Sequence, residues 1–248
     1  MAGVGIDCPH ACHHGKSWIT RNHYSYTLHS CWYSHSELDM NGRKNGKLAI
    51  VFDFGKVLVD WDPRYLYRKL FPDDDTAMER FLEEIDFMNW NLQQDAGRPF
   101  AEGVAELCGR FPGYCDLIQA YDERWEESLG GPIWPTVEVL SRLKEAGYPL
   151  YGLSNWSDEK FRLVCAQYPF FDWFDDILLS GTVRLVKPDE RIFRLLLERI
   201  GRPAGECLLI DDSAPNVEAA RALGFEVIHF QSAAQLEAEL SRREILSD

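Results

Sequence analysis

The sequence predicts an α/β fold: a parallel sheet core with helices on both faces, joined to a small all-helical second domain. Three observations carry this. Residues 48–52 form an unbroken apolar run ending at Asp53-Phe54-Gly55, the mark of a buried parallel strand entering a loop. Beyond residue 135, short apolar runs alternate with segments of helical period, as repeated strand–helix units do. Between these two regions lies a stretch with helical patterning and no strand candidate of comparable strength.

Taken in order, Asp62-Pro63 reads as an N-cap followed by proline at the first helical position. Helices are expected at about 63–70, 74–88, 99–110 and 114–128. The last of these repeats apolar residues at Leu117, Ala120, Tyr121 and Trp125. A helix at 136–146 ends at Gly147, a suitable residue just past a helix end. Strand 149–153, helix 158–167, strand 177–180 and helix 190–200 follow. The pattern then runs through strand 207–210, helix 215–223, strand 225–229 and helix 233–242. The expected domains are therefore a core of residues 47–59 and 135–248, with a helical insert at 60–134.

Residues 1–46 are different in kind. They hold six of the seven histidines and three of the seven cysteines, with little periodicity. Cys8, His10, Cys12, His13, His14, Cys31 and His35 invite a zinc reading, but their spacing fits no familiar ligand pattern. A poorly ordered N-terminal extension is the expectation here.

Composition narrows the partners. A net charge of −14 would be repelled by nucleic acid and by an anionic membrane surface. No apolar stretch has the length of a membrane span, and the N-terminus lacks a signal peptide's apolar centre. Seven cysteines at irregular spacing suggest no disulfide framework. The expectation is a cytoplasmic monomer or homodimer with a small-molecule partner.

Ligands of open parallel sheets bind beyond the carboxyl ends of the strands. There this sequence delivers Asp53, then Ser154-Asn155, then a loop with Lys187-Pro188, then Asp211-Asp212. Three carboxylates, a hydroxyl and an ammonium suit a phosphoryl substrate: a cation and the Lys offset its charge while a carboxylate attacks phosphorus.

Four motifs, Val51 to Leu58, Leu153-Ser154-Asn155, Lys187-Pro188 and Leu208 to Asn216, together resemble the haloacid dehalogenase-like hydrolase superfamily over about residues 47–240. The resemblance implies a Rossmann-like core with a helical cap inserted after its first strand, and Mg²⁺-dependent phosphatase chemistry on a small phosphorylated metabolite, sugar phosphates included. Asp53 would be the nucleophile, transiently phosphorylated. Asp53, the Gly55 carbonyl and Asp212 would bind Mg²⁺, with Asp211 directly or through water and Asn216 behind them. Ser154 and nearby backbone N–H groups would hold phosphoryl oxygens, and Lys187 would offset charge. One unlike pair at 4 Å is worth about 4 kcal/mol at an effective dielectric of 20.

One departure from the pattern matters. Phosphatases of this superfamily usually carry a second Asp two residues after the nucleophile, to protonate the leaving group; here that residue is Gly55. Asp60, Asp62, another cap residue, or a good leaving group could compensate. The same Gly55 keeps a 2-haloacid dehalogenase open as the alternative, and a non-catalytic binding protein of this fold as a second. Adjacent Asp211 and Asp212 favour a metal, hence phosphate. In the insert, Trp90, Asn91 and Arg98 are the expected substrate contacts, together with Asn155 in the core. Trp156 is a candidate for either the pocket wall or the core.

Overall fold

The computed structural model describes residues 46–246. The His- and Cys-rich leader, with the zinc and disorder readings placed on it, lies outside them. The run predicted at 48–52 forms β1 (Ala49–Phe52), fully buried throughout. Next come β2 (Val59–Trp61), α1 (Arg64–Leu70), α2 (Asp75–Glu84), α3 (Phe87–Asp95), α4 (Phe100–Arg110), α5 (Cys115–Glu123) and β3 (Leu129–Pro132). The chain continues through α6 (Trp134–Glu145), β4 (Leu150–Ser154), α7 (Asp158–Val164), β5 (Asp176–Leu179) and the single turn α8 (Ser180–Val183). It ends with α9 (Glu190–Ile200), β6 (Cys207–Asp211), α10 (Ala214–Ala222), β7 (Glu226–His229) and α11 (Ala233–Arg242).

Five strands form a parallel sheet in the order β5-β4-β1-β6-β7. From the central β1 the chain builds β4 and β5 on one side, then crosses to build β6 and β7 on the other. The reversal opens a crevice at the carboxyl end of β1, where such sheets bind ligands. Both faces of β1 are covered, which is why its sequence does not alternate. Ile50 and Phe52 pack with Leu140 of α6 and Leu240 of α11, whereas Ala49 and Val51 pack with Phe193 of α9 and Ala220 of α10.

Phe54, just past β1, is fully buried among Phe161, Phe171 and Phe174, and its ring lies against Gly152 in β4. A Cβ on Gly152 would sit 2.3 Å from the ring's Cζ. Overpacking of this kind typically costs about 1–3 kcal/mol, so Gly152→Ala should lower the unfolding free energy by that amount and the denaturant midpoint with it. An unchanged midpoint would show that the ring can move aside.

Between β1 and α6 the structure departs from the expected pattern in three places. The helix expected at 114–128 ends at Glu123, and a separate 3-10 turn follows at Trp125–Ser128. Val59–Trp61 and Leu129–Pro132 pair as a short antiparallel ribbon where no strand was expected. β3 holds two glycines and a proline, residues of low strand propensity; Asp60 packs so closely over Gly130 that a Cβ there would meet its carboxylate at 2.3 Å. The helix expected at 74–88 breaks at Asp86, whose backbone turns left-handed at φ 52°, and α3 starts afresh. Asp62 does serve the start of α1, accepting the Arg64 N–H at 2.9 Å. The five helices bury an aromatic cluster in which the Tyr121 ring lies 4.8 Å from Phe87 and 5.9 Å from Trp90. Among the described residues one local disulfide, Cys108–Cys115, bridges α4 and α5, while Cys165 and Cys207 are free.

Candidate active site

Parallel strands point their carboxyl ends to one rim, so residues far apart in sequence meet there. Asp53 follows β1, Ser154 ends β4, Asp211 ends β6, and Lys187 arrives on the loop after α8. Asp53 Oδ1 accepts the Phe54 N–H at 2.7 Å and the Ser154 hydroxyl at 2.8 Å. Lys187 Nζ lies 3.0 Å from the same oxygen. It also donates to Asp211 Oδ2 at 2.7 Å and to the Leu153 carbonyl at 2.8 Å. The Lys187 side chain is wholly buried, so its three partners replace its lost hydration.

Asp211 has no exposed side-chain surface. Its oxygens are committed to Lys187, to the Ser213 N–H at 2.9 Å and to the Asn216 amide at 3.0 Å. Asp212 beside it is half-buried and lines the open cleft. Asp211 is thus suited to holding Lys187 in place, and Asp212 to meeting a ligand.

Carboxylate oxygens of Asp53, Asp211 and Asp212 lie within 4.8 Å of one another. Burial, reinforced by the charges of Asp211 and Asp212, pushes Asp53 up to about 7 despite Lys187. Asp212 is raised as well, by burial and then by Asp211. Burial works against the Lys187 charge, but Asp211 and Asp53 outweigh it and hold the ammonium above its ordinary range. One ammonium among three close carboxylates leaves an excess of negative charge. A hard divalent cation with oxygen ligands fits that donor set, and Asp53 and Asp212 are the residues that would hold Mg²⁺. Gly55 lines the same cleft.

The cleft over Asp53 measures about 220 Å³ and is walled by Lys56, Trp61, Asn91 and Asp95 among others. An adjoining cavity of about 70 Å³ shares Trp61, Asn91 and Asp95 with it and adds Trp125 and Trp156. Asn91 lines both cavities, but its amide is tied at both ends, to Asp95 at 2.9 Å and to the Tyr121 hydroxyl at 3.1 Å. Trp156 is both wall and core, only 6% exposed and packed edge-on to Phe54. Trp90 and Arg98 line neither cavity. The Trp90 ring is buried in the aromatic cluster and its Nε1 donates to the Gly103 carbonyl at 3.0 Å, because α3 turns that face inward. Arg98 is held by Gln94 at 2.6 Å and by Glu106. Asn155 lines both cavities, yet both ends of its amide are tied to the Lys187 backbone, at 2.8 and 2.9 Å. That geometry makes it a positioner of Lys187 more than a free substrate contact. The sequence does not single out Asp95, Trp61 or Trp125 as cleft residues; no local pattern distinguishes them from ordinary helix or core residues.

Over residues 47–224 the chain matches the sequence profile of a hydrolase family, the haloacid dehalogenase-like hydrolases. It is 25% identical over 202 residues to D-ribitol-5-phosphate phosphatase of Bacteroides thetaiotaomicron, covering 77% of this chain and 96% of that one. Similarity to (S)-2-haloacid dehalogenase of Pseudomonas putida is 32% identity, over 39% of this chain and 42% of that protein. With Drimenol cyclase drtB of Aspergillus calidoustus it shares 30% identity over 42% of this chain, spanning only 20% of that longer protein. Among solved structures, the magnesium complex of a HAD family enzyme from Bacteroides thetaiotaomicron aligns with a TM-score of 0.62 and 25% identity, over 79% of this chain and 99% of that one.

Proposed function

This chain belongs to the haloacid dehalogenase-like hydrolases, and on that premise we propose that it is a Mg²⁺-dependent phosphatase of a small phosphorylated metabolite, with Asp53 as nucleophile. The observation that carries the reading is the cluster of Asp53, Asp211 and Asp212 around Lys187 at the crevice of the sheet. The phosphatase relative and the magnesium-bound neighbour support it.

In this reading Ser154, the Phe54 N–H and Lys187 fix Asp53 through Oδ1, and Oδ2 has lone pairs free to attack phosphorus. Attack forms an aspartyl-phosphate and expels the leaving alcohol; water then cleaves the acyl phosphate and restores Asp53. Lys187 offsets charge on nucleophile and phosphoryl oxygens without reorganising, since its position is already fixed by Asp211 and Asn155. Mg²⁺, when bound, would supply further neutralisation of the phosphoryl group. The segment 60–134 acts as the cap, closing over the core of 47–59 and 135–248. Trp61, Trp125 and Trp156 line the cavity beside Asn91 and Asp95, a wall of aromatic and polar residues that suits a phosphorylated sugar or polyol. Among the described residues no helix is long and apolar enough to cross a membrane. A cytoplasmic monomer or homodimer completes the proposal.

A 2-haloacid dehalogenase is the second reading, favoured by Gly55 and by the dehalogenase relative. It leaves the negative charge around Asp53 and Asp212 uncompensated, which is why the phosphatase is preferred. Retention of Asp53 disfavours a binding protein without catalysis. The test is phosphate release from sugar phosphates, polyol phosphates, nucleotides and p-nitrophenyl phosphate, with Mg²⁺ or EDTA. Release that requires Mg²⁺ is expected. Metal-independent halide release from 2-haloacids, with no phosphate released, would replace the phosphatase by the dehalogenase.

A further inference from the structure

Within the phosphatase reading, on which this inference rests, we propose that Asp95 supplies the general acid and base that position 55 lacks. Gly55 leaves room beside the nucleophile: a Cβ built on it meets nothing within 4 Å. Asp60 and Asp62 line neither cavity: Asp60 accepts the Tyr65 hydroxyl at 2.7 Å and Asp62 binds the N–H and guanidinium of Arg64. Asp95 instead ends α3 on the wall of both cavities, the larger of which Asp53 also lines.

Its position is well defined. Oδ1 accepts the Ser157 N–H at 3.1 Å, and Oδ2 accepts the Asn91 amide at 2.9 Å. The carbonyl of Asn91 in turn accepts the Tyr121 hydroxyl at 3.1 Å. The Asp95 main-chain carbonyl accepts the Ser180 hydroxyl, so the end of α3 is bonded to the core rim. Two residues on, Gly97 adopts φ +92° and comes so near the core that a Cβ would lie 2.7 Å from the Gly181 carbonyl. Only glycine permits both that backbone and that approach.

The protonation state agrees with this role. Burial lifts Asp95 to about 8, the Ser157 N–H works against it, and the charge of Asp53 adds to the rise. Of the titratable groups facing it, Asp53 lies beyond β1 and Tyr121 on α5, whose own ionisation is pushed well above its ordinary value. The rise in Asp95 favours its protonated carboxyl at neutral pH. As Asp53 bonds to phosphorus, the bond to the leaving oxygen breaks, its electron pair stays on that oxygen, and the Asp95 proton moves onto it. Asp95, now a carboxylate, takes a proton from the water whose oxygen attacks the aspartyl-phosphate. The phosphorus–oxygen bond to Asp53 breaks, and inorganic phosphate leaves with Asp53 restored and Asp95 again protonated.

The test compares first-turnover rates for p-nitrophenyl phosphate and phenyl phosphate, with Mg²⁺, in wild type and Asp95→Asn. p-Nitrophenolate leaves without a proton, whereas phenolate is the poorer leaving group. Asp95→Asn should slow phenyl phosphate by about 10²-fold and p-nitrophenyl phosphate by less than about 10-fold, because general acid help matters where the leaving group is poor. The fall in wild-type kcat/KM for phenyl phosphate above about pH 8 should disappear in the variant. Equal slowing of both esters, or of neither, overturns the assignment. A variant-free check is the wild-type rate across aryl phosphates of rising leaving-group pKa: nearly level if an acid assists, and a steep fall contradicts the proposal. If wild type cleaves no phosphate ester at all, the phosphatase reading fails instead, which separates the two.

Discussion

Lys187→Met is expected to lower stability by about 3–5 kcal/mol, the range for removing one partner of a buried ion pair. The wild-type ammonium is wholly buried and satisfies Asp53, Asp211 and the Leu153 carbonyl together. Methionine fills a similar volume but leaves two carboxylates and a carbonyl without that donor. Asp211 would suffer most, because no side-chain surface of it reaches water. The ion pairs raise the folded-state pKa of Lys187, so its contribution is complete at neutral pH and is lost only as pH rises into strong alkali. In a protein of this size such a loss lowers Tm by roughly 6–20 °C. Urea unfolding of both proteins at pH 7 measures it, and a change below about 1 kcal/mol would mean that the site does not depend on the ammonium.

Asp53→Asn should do the reverse, removing activity while sparing the fold. The amide oxygen can still accept the Phe54 N–H and the Ser154 hydroxyl, and Lys187 keeps Asp211. Burying the wild-type carboxylate is unfavourable, as its rise to about 7 indicates, so the variant should melt no lower than wild type. An amide does not attack phosphorus, and phosphate release should fall by at least about 10³-fold. Both quantities are needed from one preparation. Lost activity with an unchanged Tm is the expected pair, and retained activity would remove Asp53 from the nucleophile's role.

The residues most legible in the sequence are those that end strands. Asp53, Ser154 and Asp211 each follow an apolar run, and a parallel sheet brings such ends together whatever the loops do. Lys187 was legible through its motif, although its clamp by Asn155 was not: an amide that bonds a backbone 32 residues away leaves no local trace. The insert was harder to read. Helical period found the aromatic stripe at Tyr121 but not which tryptophans face the cleft. Trp90 and Trp61 look alike in sequence, and their fates depend on how α3 and the β2–β3 ribbon dock. The left-handed break at Asp86, the seat of Gly97 on the core and the placement of Asp95 arise from the same long-range packing.

The central claim is that a phosphoryl group passes through Asp53. Acid quenching during turnover of a radiolabelled phosphate ester with Mg²⁺, followed by peptide mapping, tests it most directly. Acid-stable label is expected on the peptide carrying Asp53, released by hydroxylamine as an acyl phosphate is, and absent from Asp53→Asn. Label on another residue, or equal labelling of Asp53→Asn, would contradict it.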